Sequence, residues 1–154
     1  MRMVPLQWAS LVVIFLDAVV IAFGFLTGSA LLPRSANLVL VVISMALMVA
    51  TLVFARGAYN FENPTLPAWA VAVAVIAFFG GVFLFAYPLL TDANTGSFEQ
   101  ENGKYQERKD DVVVRELTEE QYDAGLAANQ RQSVGFALVF AGGVLAYAGI
   151  RYRK

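Results

Sequence analysis

Residues 91–132, TDANTGSFEQENGKYQERKDDVVVRELTEEQYDAGLAANQRQ, are the one long polar stretch of this chain and divide its apolar sequence in two. They hold ten acidic residues (Asp92, Glu99, Glu101, Glu107, Asp110, Asp111, Glu116, Glu119, Glu120, Asp123) against five basic ones (Lys104, Arg108, Lys109, Arg115, Arg131). That is a local net charge of −5 in a chain whose total is −1. The sequence on either side is apolar enough to sit in lipid. The stretch therefore reads as a loop presented to water, or to a partner.

Composition agrees. Of 154 residues, 58% are hydrophobic and 15% charged, where soluble domains carry roughly 25% charge. The length suits one domain. Cysteine and histidine are both absent. Disulfides and thiolate metal sites are thereby excluded, and so are the commonest metal ligand and the usual base near neutral pH. The sequence predicts no cofactor and no metal.

Four apolar runs flank this stretch, at residues 6–32, 38–55 and 68–90 before it and 134–150 after it. The first follows a short basic start and contains Gly28-Ser29-Ala30, the form of a secretory signal. It is longer than a signal's apolar region of about 7–15 residues, and Asp17 interrupts it, so it reads as a retained membrane helix. The third run alternates Ala and Val like a strand, but about 20 consecutive apolar residues span a bilayer as a helix, and a lone strand in lipid leaves its backbone unpaired.

The fourth run is near the short end of spanning length. Upstream, Thr118 and Gln121 form a capping box, with Leu117 and Tyr122 at hydrophobic-staple positions. Both devices start a helix at Glu119, which the spacing carries to Arg151. The expected architecture is all-α: a single domain with four transmembrane helices (6–32, 37–55, 67–90, 119–151) in an up-down bundle. A polar loop, 91–118, runs into the fourth helix.

Orientation follows from arginine and lysine. With the N-terminus inside, Arg2, Arg56, Arg151, Arg153 and Lys154 are cytoplasmic, and the short outer connection holds Arg34 alone. Trp8, Tyr59, Trp69 and Tyr152 then form an inner aromatic belt, with Tyr87 near the outer face. Both termini are expected in the cytoplasm and residues 91–132 outside it. The loop order resembles that of tetraspanins and claudins. Those families carry cysteine signatures in their outer loops, which this chain lacks, so no family is claimed.

Asp17 is the residue with most chemistry. A carboxylate near mid-bilayer costs at least about 2.5–3.5 kcal/mol and usually faces protein or water. It reads either as a titrating proton or cation site, or as a protonated or hydrogen-bonded group gluing helices together. Ser44, Gly80, Gly81, Gly142 and Gly143 are expected near its depth. No other charged residue stands in the apolar runs beside it, so the structural reading is preferred.

Gly24-x-x-x-Gly28 is a close-packing motif, echoed by Ala77/Gly81, Ala137/Ala141 and Gly142/Ala146. These, together with Gly80 and Gly143, are expected to pack the chain's own bundle. In the polar stretch, Asp92-Ala-Asn94-Thr-Gly96 departs from a calcium loop, because its glycine comes one place early and no Glu stands at the twelfth position. Val112 to Val114 has the composition of a short strand. Phe98, Tyr105, Asp110, Asp111, Glu119 and Tyr122 are the expected partner-binding residues. No basic patch exceeds Arg151-Tyr152-Arg153-Lys154, which disfavours nucleic acid and suits anionic lipid.

The functional expectation is a non-catalytic accessory or scaffold subunit of a larger membrane assembly, such as an energy-transducing complex or a lipid-containing particle. Its partners would be other membrane subunits and lipid. The alternative is a small channel or proton/cation-coupled transporter that uses Asp17.

Overall fold

A computed structural model describes residues 3, 5–54, 66–90, 96–101, 103–109 and 112–151. Arg2, residues 55–65 with Arg56 and Tyr59, Asp92, Asn94, Asp110, Asp111 and the tail at 152–154 lie outside the described residues. The elements in order are α1 (Pro5–Thr27), α2 (Arg34–Phe54), α3 (Ala68–Leu90), β1 (Ser97–Glu101), β2 (Lys104–Lys109), β3 (Val112–Leu117) and α4 (Glu119–Arg151).

The first apolar run does not stay helical to residue 32. Gly28 adopts φ +69° just past the last helical residue, the left-handed position that ends helices and that glycine takes without a Cβ penalty. Thr27 Oγ1 accompanies the stop by donating to the Phe23 carbonyl at 2.9 Å. Gly28 is thus a terminator, and nothing lies within 4 Å of where its Cβ would be. The expectation that Gly24 and Gly28 form one packing face is corrected.

α1, α2 and α3 are each long and apolar enough to cross a membrane. Their packing is the inverse of a soluble core. On α3 the buried positions are Ala70, Ala74, Ala77 and Gly81, a stripe at helical spacing made of the smallest side chains. Phe79, Phe83, Ile76 and Leu90 point outward. Large apolar side chains outside and small ones inside suit a lipid solvent, which supplies no hydrophobic drive for helix association and leaves close backbone packing to hold helices. Membrane integration follows.

The helices are not arranged as a four-cornered bundle. α4 packs against α1, α2 and α3 alike, α1 and α2 touch lightly, and among the described residues α3 makes no comparable contact with α1 or α2. Val134, Ala137, Ala141, Val144 and Leu145 of α4 are fully enclosed. α4 is the axis, and the other three are its jacket.

Backbone approach explains α3–α4. A Cβ on Gly81 would meet the Gly135 carbonyl oxygen at 2.6 Å, and one on Gly142 would meet the Phe78 amide nitrogen at 2.8 Å. These helices run antiparallel at a spacing only glycine permits. Gly143 turns to α2, where a Cβ on it would lie 3.9 Å from Met48 Sδ, an ordinary contact. Gly80 faces open space, so it is not a packing residue as expected; its neighbour Gly81 takes the interface.

The all-α expectation also needs correction in the polar stretch. β1, β2 and β3 form an antiparallel meander in sequence order. Phe98, Tyr105 and Leu117 fall on one face of the pairing (Gln100 opposite Tyr105, Tyr105 opposite Leu117, Phe98 opposite Glu107). That face turns to α4.

Candidate functional site

The sheet stands on the first turns of α4. Thr118 and Gln121 cap the helix reciprocally: the Gln121 amide donates to Thr118 Oγ1 at 3.2 Å, and the Thr118 amide donates to Gln121 Oε1 at 3.1 Å. A cap of this kind contributes roughly 0.5–2 kcal/mol. One turn on, the Tyr122 ring lies 4.8 Å from the Tyr105 ring. A Cβ on Gly125 would meet the Phe98 ring at 2.5 Å, so the missing side chain is the seat for that ring.

These contacts change the roles expected of the aromatics. Phe98, Tyr105 and Tyr122 are half-buried against one another's elements and anchor the sheet to its own helix. Burial raises the Tyr105 hydroxyl pKa, and Glu119 and Asp123 beside it push the same way. Glu119 remains exposed.

Cross-strand ion pairs cover the sheet: Arg115 to Glu107 at 2.6 Å, Lys104 to Glu116 at 2.6 Å and Arg108 to Glu99 at 3.0 Å. Most of these side chains are well exposed, so each pair contributes about 0–1 kcal/mol. They set register more than stability.

The two edges of the sheet differ. β1 presents Glu99 and Glu101, charges that discourage further pairing. β3 presents Val112, Val113 and Val114, exposed at 65%, 41% and 59%. Opposite β3, Glu107 pairs with Arg115 and Arg108 with Val113, so Val114 is a bulge residue with nothing across from it. The alternation of in and out is broken there, which leaves three consecutive valines in the open.

A second constellation is internal. Gln7, Ser10 and Asp17 of α1, Asn37, Ser44 and Thr51 of α2, and Gln130 of α4 are all buried. Those of α2 recur every seventh residue, a seam facing the axis. Ser10 Oγ donates to the Ala141 carbonyl, and Arg131 donates to the Gly24 carbonyl at 3.1 Å. Asp17 stands midway between these two rungs. Ser44 donates to its own Leu40 carbonyl at 2.9 Å, and neither Asp17 oxygen has a hydrogen-bond partner among the described residues. The expected grouping of Asp17 with Ser44 is therefore one of depth and not of bonding.

Two residues escaped sequence reasoning. Gln130 accepts from the Leu31 amide at 2.8 Å and donates to the Leu32 carbonyl at 3.0 Å, clasping the α1–α2 connection to α4. Arg131 adds its bond to Gly24 and lies 4.9 Å from the Phe25 ring centroid. Their signal was position: both stand one turn before an apolar run, where a polar side chain meets the ends of neighbouring helices. Among the described residues no group of three or more acidic side chains could hold a metal ion.

Fold and site together define a class: a membrane-embedded helical chain whose axial helix carries a small water-exposed sheet. The chain matches no protein-family model, no curated protein and no solved structure.

Proposed function

We propose that this chain is a non-catalytic subunit of a larger membrane assembly, holding an extracytoplasmic partner through the sheet at the head of α4. In this reading α4 is the fourth span, both termini are cytoplasmic, and the sheet lies outside. Supporting the fourth span, α4 is about 50 Å long at roughly 1.5 Å per residue, well beyond a bilayer core of about 30 Å. The surplus matches the turns that carry the sheet. Supporting the orientation, Trp8 and Trp69 are both exposed at the starts of helices that run antiparallel to α4, hence at one level. The lysine and arginine distribution places that level inside.

The observation that carries the docking role is the open edge of β3. An exposed edge strand is a template for another strand, and a bulge limits such pairing where it falls, so the edge on offer is at Val112 and Val113, with Val114 adding apolar contact. The fitting partner is an extended segment of a neighbouring subunit's outer domain, with apolar side chains for Val112 to Val114 and basic ones for the acidic head. Main-chain pairing and the valines give affinity, and charge steers encounter.

A photoreactive residue at Val114 tests this in native membranes. It should yield one discrete protein adduct, whereas the same residue at lipid-facing Phe79 should yield none; no protein adduct at Val114 would remove the docking role. Orientation is read with Ser97→Cys and Lys154→Cys. An impermeant thiol reagent should label the first in intact cells and the second only after permeabilisation.

A second reading rests on Asp17, fully buried with neither oxygen bonded, as in a carboxylate that takes up protons or cations. Flux in proteoliposomes that disappears in Asp17→Asn would favour that reading over the scaffold.

A further inference from the structure

A cavity of about 500 Å³ lies where the α1–α2 connection, the start of β1 and the first turns of α4 meet. Its size is within the roughly 300–1,000 Å³ of small-molecule sites. Three features of its wall point to one ligand chemistry. Arg34, the first residue of α2, lines it with an exposed guanidinium. The amino terminus of α2, a helix of 21 residues, opens there. Pro33 in the preceding position has no side-chain oxygen to cap the first free amides, so donors and the positive end of the helix dipole are left for an anion. Asn37, one turn further, is only 7% exposed, and its side-chain oxygen has no hydrogen-bond partner among the described residues.

The rest of the wall agrees. Asn129 and Gln132 add neutral amides, and no described residue lining the cavity is acidic. Gln130 is already committed to the α1–α2 connection on both sides of its amide, so it shapes the wall without competing for a ligand. A guanidinium and a helix amino terminus ask for an anion. The unpaired Asn37 oxygen asks for a hydroxyl or ammonium donor on the same molecule.

We propose that this cavity binds a phosphate ester that also carries hydroxyl or ammonium groups, supplied as the headgroup of a phospholipid in the surrounding leaflet. The phosphate sits between Arg34 and the α2 amino terminus, and a headgroup donor satisfies Asn37. The lipid source rests on the membrane reading of the helices. It is favoured by position: the cavity lies between the end of α1 and the start of α2, two helices long and apolar enough to cross a membrane, and Leu26 and Leu38 near those helix ends are exposed at 86% and 63%. The ends of such helices stand at the level of lipid headgroups, where the acyl chains of a bound lipid meet apolar helix surface.

The test is native mass spectrometry of the full chain in detergent, offered phosphatidylglycerol, diacylglycerol with the same acyl chains, or glycerol 3-phosphate. Phosphatidylglycerol should be retained at one copy, and diacylglycerol should be lost. Arg34→Gln should weaken retention about tenfold, the scale of one charge-assisted contact. Arg34 is exposed, so this variant should keep the parent's helicity and melting temperature, and Asn37→Leu serves as a second probe. Equal retention by parent and Arg34→Gln, or of diacylglycerol and phosphatidylglycerol, would mean unspecific annular lipid and overturn the site. Arg34-dependent binding of glycerol 3-phosphate as tight as that of the lipid would overturn the lipid source. Neither outcome bears on crosslinking at Val114, so the two proposals fail separately.

Discussion

The Phe98 ring lies on the bare backbone of Gly125, at a distance no side chain on that residue would allow. With the Tyr105–Tyr122 ring contact, it is the bond between a sheet of charged strands and the axial helix. Gly125→Ala tests it with two opposed effects. Alanine gains about 1 kcal/mol of helix propensity, whereas overpacking costs typically about 1–3 kcal/mol. The first acts on α4 and the second on the sheet. Hydrogen exchange should therefore slow or hold over residues 119–130 and quicken over 97–109. Unchanged protection of the strands would mean that Phe98 is not the anchor.

The α3–α4 interface should be intolerant at one glycine and indifferent at its neighbour. Gly81→Leu must push the Gly135 backbone away, and a loss of about 3 kcal/mol or more is expected, at the severe end for point substitutions. Gly80→Leu faces open space and should stay within about 0.5 kcal/mol of the parent. Thermal unfolding in one detergent compares the two. Equal effects would contradict the backbone contact.

Alkaline pH should loosen the head before the helices. The Tyr105 pKa is raised by burial and by Glu119 and Asp123, so the folded head favours the neutral hydroxyl. Its contribution is fully present below the ordinary phenol pKa of about 10 and is lost as pH rises through the raised value. Phenolate absorbance should show one tyrosine titrating above the free amino acid, and Glu119→Gln should bring it down. A Tyr105 that titrates normally would contradict the packing against Tyr122.

Asp17 tests what the buried seam is for. A buried carboxyl with no partner costs stability that an apolar residue of similar size would not. Asp17→Leu should raise the melting temperature of the isolated chain, by an amount corresponding to about 1–3 kcal/mol. A lowered melting temperature would show that the carboxyl is held by a bond within the bundle.

The three jacket helices were legible because lipid demands one unambiguous thing, a long apolar run. The start of α4 was legible because Thr118 and Gln121 are a capping pair at the right spacing. The sheet was harder: its inward face is carried by Phe98, Tyr105 and Leu117, one apolar residue per strand, and charge on the other face hides the alternation. Of its strands the sequence suggested only Val112 to Val114. The axial role of α4 was hidden as well. Its apolar run is the shortest of the four, and what marks an axis is small residues on every side, Gly135, Ala137, Ala141, Gly142 and Gly143, rather than length. The aromatics of the head were legible as important but not as inward-facing, since Gly125, which receives Phe98, is unremarkable in sequence.

Docking through the sheet edge is tested by the native mass of the chain extracted mildly from its own membranes, for the parent and for Val112→Glu/Val114→Pro. Proline takes a main-chain donor out of β3, and glutamate puts charge where the valines stand. The parent should migrate as a complex heavier than itself, and the variant should be released from that complex while still inserting in the membrane. A parent that runs alone, or a complex of unchanged mass in the variant, would contradict the account.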